Sequence, residues 1–281
     1  MSFFNTTIKS DEISINSELE LQSINEPSTT TNKLYNVDGK IKWNGNYVNN
    51  VINSINTISS TSHTSIPTGT TGINIKMVGS GGGGGGQGTA NGDSGGGGGS
   101  GSYTEVFLNH STFSSTTYGS NRNNIYVSIG SGGTTGSGTN NGNDGSNTVV
   151  RFSNGTITNG TVIATAGGGY GGMSAGGSNR SYVDSVGGDG GLVGTITTGI
   201  GYTIPGRPGD NGRVAITSVN NRCGTNGGNS ILGTGGKGGN ERATSGLNGY
   251  NGGGGGGGYY DANVNHEGTD GGDGVVIITF F

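Results

Sequence analysis

Short stretches in which apolar and polar residues alternate are spread along the chain, separated from about residue 79 onward by runs that carry almost no side chains. Ile13 and Ile15, then Leu19 and Leu21, alternate with polar neighbours at period two, which predicts short strands within residues 1–32. Leu34-Tyr35-Asn36-Val37 and Lys40-Ile41-Lys42-Trp43 flank Asp38-Gly39, a strong signal for a β-hairpin with a two-residue turn. That register sets Leu34 opposite Trp43 and Asn36 opposite Ile41. Asn44-Gly45 then turns the chain into Asn46-Tyr47-Val48. After that the period changes. Val48, Val51, Ile55 and Ile58 are spaced three, four and three, so residues 33–60 read as a hairpin followed by a short a/d helix. β-branched residues at both positions favour a homotrimer. Chance spacing is the competing reading, because the intervening Asn, Ser and Thr are weak helix formers.

Residues 61–72, with Ser, Thr, Gly and Pro67, read as a linker, and residues 73–281 as a separate glycine-rich domain. Strands are predicted at Ile73–Val78, Tyr103–Leu108, Ile125–Ile129, Thr148–Phe152, Thr161–Ala164, Arg213–Ile216 and Val275–Phe281. Apolar residues on consecutive positions of the last run predict a strand inside a sandwich. Many strands with turn-rich spacers predict an all-β fold, a jelly-roll-like β-sandwich.

Composition changes the picture of the spacers. Glycine supplies 67 of 281 residues, only 27% of the sequence is hydrophobic, and 11% is charged with a net charge of -4. Low charge argues against ordinary disorder, and no basic stripe points to nucleic acid. Glycine loses the most backbone entropy on ordering, so the tracts need a compensating interaction. In a polyproline-II helix the backbone repeats every three residues without internal hydrogen bonds. Without Cβ atoms, neighbouring polyglycine helices can approach and bond backbone to backbone. Tracts near 81–86, 95–99, 167–172, 187–191, 235–239 and 252–258 are numerous enough for such a bundle, and flexible loops are the alternative. Strict Gly-X-Y periodicity is absent, which excludes collagen.

The segments "MVGSGGGGGGQG", "GGGGGSGSYTEVFL", "IYVSIGSGG", "TVIATAGGGYGG", "GGGGGGGYYD" and "GGDGVVIITFF" together resemble the glycine-rich domains of phage tail-fibre and large-DNA-virus structural proteins. The piece "NKLYNVDGKIKWNGNYV" is similar to hairpin segments of such proteins. The resemblance covers residues 73–281. It implies polyglycine helices inserted between sandwich strands, and a place at a particle surface.

Chemistry-bearing motifs are sparse. With glycine this common, matches to G-x-G-x-x-G arise by chance, and Gly236-Lys237 is followed by Gly238 where a P-loop needs Ser or Thr. His63, His110 and His266 lie far apart, and Cys223 is the single cysteine, so neither a zinc site nor an intrachain disulfide is expected. Asp270-Gly271-Gly272-Asp273-Gly274 lacks the repeat of a calcium β-roll, and its aspartates are expected to serve local turns. No cofactor is expected. No run of about 18 apolar residues exists, so no membrane insertion is expected either. Tyr170, Tyr182, Tyr202, Tyr250, Tyr259 and Tyr260 lie in or beside glycine-rich segments. Tyrosine among Gly, Ser and Asn is the composition of paratope loops. Two readings stand open for these rings: contact with a host receptor or glycan, or capping of the bundle. The functional expectation is a non-enzymatic virion protein, a surface fibre or fibre tip contacting the host or other virion proteins. Capsid cement and an ice-binding protein are the rivals.

Overall fold

The computed structural model describes residues 34–37, 40–43, 46–47, 54–88, 93–114, 123–153, 160–175, 185–212, 224–239, 246–261 and 264–281. The protein forms two compact units, Met1–Val51 and Ile52–Phe281. In the first, β1 (Leu34–Val37), β2 (Lys40–Trp43) and β3 (Asn46–Tyr47) make a three-stranded antiparallel sheet. Leu34 stands opposite Trp43 and Asn36 opposite Ile41, the register expected from Asp38-Gly39. The strands expected around Ile13 to Leu21 lie outside the described residues, as does the one at Arg213–Ile216.

The boundary falls earlier than the sequence suggested, and no helix occupies Ile55 or Ile58. Ser54–Ile58 is strand β4, with Ile58 opposite Val276 and Ile55 opposite Thr279. Alternation buries Ile58 and leaves Ile55 exposed. The physical reason is that β-branched residues among Ser, Asn and Thr suit a pleated strand better than a helix. An edge of the second unit's sheet is there to receive them. Val48 and Val51 lie outside the described residues. The expected linker likewise holds β5 (Ser62–Ser65), an edge strand paired with β8 (Asn124–Ser128).

The second unit is a sandwich of two antiparallel sheets. Its other strands are β6 (Gly72–Val78), β7 (Tyr103–Asn109), β9 (Thr148–Ser153), β10 (Val162–Ala166), β11 (Thr195–Ile196), β12 (Ile200–Ile204) and β15 (Val275–Phe280). A small ribbon of β13 (Tyr259–Asp261) and β14 (Val264–His266) stands apart. One sheet has the order β11-β10-β9-β8-β5, the other β12-β7-β6-β15-β4. Period-two residues fill the space between the sheets: Ile73, Ile75 and Met77 of β6, Val276, Ile278 and Phe280 of β15, Ile125 and Val127 of β8, Val150 and Phe152 of β9.

Register places every long glycine insertion at one end of this sandwich. Val78 at the end of β6 pairs with Tyr103 at the start of β7 and with Val275 at the start of β15. Tyr103 also pairs with Ile204, where β12 ends. Ser128, which ends β8, faces Val149, and Ala166, which ends β10, faces Thr148. Residues 79–102, 129–147, 167–194 and 205–274 therefore all leave and return at the same end.

There they pack into a bundle whose bonding has a three-residue period. Gly81 and Gly84 donate N–H bonds to Gly272 and Thr269, Gly82 and Gly85 to Gly99 and Gly96, and Gly83 and Gly86 to Asn143 and Asn140. Their carbonyls accept in the same rhythm. Gly81 and Gly84 take Gly133 and Gly136, Gly82 and Gly85 take Gly255 and Gly258, and Gly83 and Gly86 take Gly172 and Ala175. One tract is thus bonded to six neighbouring segments, three antiparallel through its donors and three parallel through its acceptors. That is the rhythm of a helix with three residues per turn. Gly95 to Ser100 repeats it, donating to 255–258, 170–173 and 207–210. Residues 79–87 and 252–259 are buried almost throughout, and most of their backbone N–H groups bond to carbonyls of other tracts, as buried amides require.

Glycine is required only on the faces that meet another tract. A Cβ on Gly82, Gly84 or Gly98 would lie far inside 3.0 Å of a neighbouring carbonyl. Outer segments keep glycine at a three-residue spacing: Gly206, Gly209 and Gly212 stand alone among other residues, and Gly268, Gly271 and Gly274 repeat the spacing with Gly272 as one addition. In the first set the added Cβ would strike Ser100, Gly97 and Ser94 of a central tract. Each backbone bond contributes about 1 kcal/mol, close to the ordering cost of one residue. The bundle accordingly depends on the sandwich, which pins the ends of every insertion.

Candidate functional site

At the bundle's margins, Asn and Asp side chains replace missing neighbours. Asn141, Asp144 and Asn147 present Oδ1 to the N–H groups of Ser174, Gly171 and Gly168 at 2.9, 2.8 and 3.0 Å, again at three-residue spacing. Asp270 and Asp273 do the same for Thr135 and Gly132, at 2.7 and 2.8 Å. The local-turn expectation for these two aspartates is thereby corrected: their partners lie more than a hundred residues away in sequence. A short side chain with one terminal carbonyl reaches a lattice donor that no backbone carbonyl meets. The sequence signal was the three-residue Asx spacing itself, legible only once the three-residue lattice is known.

Asp270 and Asp273 also line an open cleft of about 430 Å³. Its floor is the tract Asp270–Gly274. One side is formed by Gly132 and Thr134, the other by Asn248 to Asn251, with Ser59 at the end towards the sandwich. Backbone bonds fix these parts relative to each other: Gly271 N–H to Gly133, Gly249 N–H to Asp270 and Gly252 N–H to Asp273. Asn248 Oδ1 accepts from the Asp270 N–H at 3.2 Å. Tyr250 stands on the cleft with 65% of its surface exposed.

The six tyrosines do not form one site. Tyr250 belongs to this cleft, and Tyr170 is partly exposed on the tract that bonds Gly99. Tyr202 is on β12, outside the bundle, where its hydroxyl donates to Glu105 at 2.8 Å. Tyr259 is fully buried and stacked on His266 at 5.5 Å, so it is a packing residue and presents no surface to a receptor. Tyr260 lies in β13, with its side chain outside the description, and Tyr182 lies outside the described residues. Each histidine packs on a different ring: His63 on Tyr126, His110 on Phe113 and His266 on Tyr259.

A second polar cluster occupies the outer face of the sheet that contains β7. Glu105 accepts from Tyr103 OH at 2.7 Å, Tyr202 OH at 2.8 Å and Asn74 Nδ2 at 3.0 Å, with Lys76 Nζ at 3.9 Å. Burial works to raise the Glu105 pKa, but the three donated bonds and the Lys76 charge outweigh it and hold the carboxyl below its ordinary value. Burial, and then the bond to Glu105, pushes the Tyr103 phenol well above its usual range. A depressed carboxyl pKa contributes stability above the unfolded value of about 4.3 and loses it as pH falls through the folded value. In Tm measured against pH, the natural protein should therefore lose extra stability below about pH 4.3. Glu105→Gln, which cannot ionise, should lower Tm at neutral pH and abolish that acid-dependent component. Parallel curves for the two would remove Glu105 from the account.

A family model described as a glycine-rich domain matches residues 56–281, which covers the whole bundle and all of the sandwich but the first two residues of β4. No curated protein matches the sequence.

Proposed function

The chain belongs to the glycine-rich domain family, and from that premise we propose that it is a virion structural protein, a surface fibre or fibre-tip component that contacts the host or other virion proteins. The observation that carries this reading is the one-ended bundle. A sandwich gathers all four long insertions at one end and condenses them into a backbone-bonded body. Such a body is stiff, because each residue of its central tracts is held from several sides. Central tracts of this kind also lack the side chains and irregular loops that proteases engage. Its exposed residues, among them Tyr170, Met173 and Tyr250, sit on a scaffold that does not need to order itself on binding. Met173 and Val186, both exposed, are neighbours through the Met173 N–H to Val186 carbonyl bond and add a small apolar patch. The unit Met1–Val51 then serves attachment to the particle.

The test is immunogold labelling of intact particles released by the cells that make the protein, using antibody to residues 56–281. Label on the outer surface is the expected result. Label only after particle disruption would replace the surface role with an internal, architectural one. No label in either state would overturn the virion reading.

A further inference from the structure

We propose that the cleft beside Tyr250 binds neutral or amino-substituted saccharides. This inference rests on the reading of the bundle as an exposed contact body, and it names the ligand class of one site on it. Four observations lead there. First, the cleft is pre-formed: floor and walls are joined by the backbone bonds of the lattice, so a weakly held polyol need not order it. Second, Tyr250 offers an exposed ring at the cleft, the group on which the C–H face of a pyranose stacks. Third, the lining is rich in acceptors. Asp270 and Asp273 each commit Oδ1 to a lattice N–H, which leaves the second carboxylate oxygen of both for ligand hydroxyls. Thr134 and Ser59 add hydroxyls and Asn248 an amide.

Fourth, the charge selects within the class. The lining holds two carboxylates and neither lysine nor arginine, so sialylated and sulfated glycans are repelled and an amino sugar is favoured. An apolar or lipid ligand would leave these acceptors unpaired.

An array of immobilised neutral, amino-substituted, sialylated and sulfated oligosaccharides tests the idea, followed by calorimetric titration of the best-bound free oligosaccharide. Neutral or amino-substituted glycans should bind. Tyr250→Ala should weaken the titrated affinity about tenfold, the worth of one good stacking contact, with Tm unchanged. Asp273→Asn keeps an Oδ1 acceptor for the Gly132 N–H and removes the charge. It should weaken amino-sugar binding in particular and leave the fold intact. An array on which only acidic glycans bind, or none, overturns the proposal, as does full affinity in Tyr250→Ala. The labelling experiment fails or succeeds separately. A surface-labelled particle with a silent array removes the saccharide site alone, and Tyr250-dependent binding without particle label removes the virion reading alone.

Discussion

Gly84→Ala should cost about 4 kcal/mol or more, enough to prevent the Ile52–Phe281 unit from folding. The added methyl would lie on the backbone of Gly256 and Gly257 in the neighbouring tract, where no side chain can move aside. Moving Gly84 itself away from that tract strains its own N–H bond to Thr269 and the Gly136 N–H bond to its carbonyl. It also disturbs Gly255 and Gly258, which donate to Gly82 and Gly85. Gly138→Ala is the matched control. Gly138 has φ of +58° and open space around its Cβ direction, so only the left-handed conformation is penalised, at about 1 kcal/mol. Urea and thermal unfolding followed by circular dichroism separate the two. Equal, small losses at both positions would mean that the tract around Gly84 is not packed against its neighbours.

Phe280→Ala should cost about 3–5 kcal/mol, the usual range for truncating a fully buried phenylalanine. Phe280 belongs to β15, which lies between β6 and β4, and its ring sits in the core shared by both sheets. The loss should not stay in the sandwich. Because the strands anchor the ends of every insertion, hydrogen exchange at Gly82 to Gly86 should quicken together with exchange in β6 and β15. Tract amides that stay protected while the sheet amides open would show that the bundle stands without its base.

Strand positions were legible because their cause is local. Ile73, Ile75 and Met77 alternate with polar residues, and the burial of β6 follows that alternation. Asp38-Gly39 fixed the hairpin register for the same reason. Ile55 and Ile58 misled because three-four-three spacing over so short a stretch does not distinguish a helix face from a strand that happens to carry two isoleucines. The partner that decided the matter, β15, lies more than two hundred residues away. The dense tracts stood out by composition, but the outer ones did not. Gly206, Gly209 and Gly212 look like an ordinary loop until a central tract is placed beside them. Tyr250 and Tyr259 are alike in local sequence and opposite in exposure, since Tyr259 is buried against His266 whereas Tyr250 stands on an open cleft.

The lattice rhythm also sets how this protein can change length. An insertion of three residues in an outer tract returns glycine to the inward face and lengthens the segment by about 9 Å. An insertion of one or two turns a side chain into a neighbouring carbonyl and shifts every donor off its acceptor. Family members should therefore differ in their tracts by multiples of three residues, with antiparallel neighbours growing in concert. Between those fixed increments, the outward positions are free to diversify, so the same scaffold can present new surfaces without relearning how to fold.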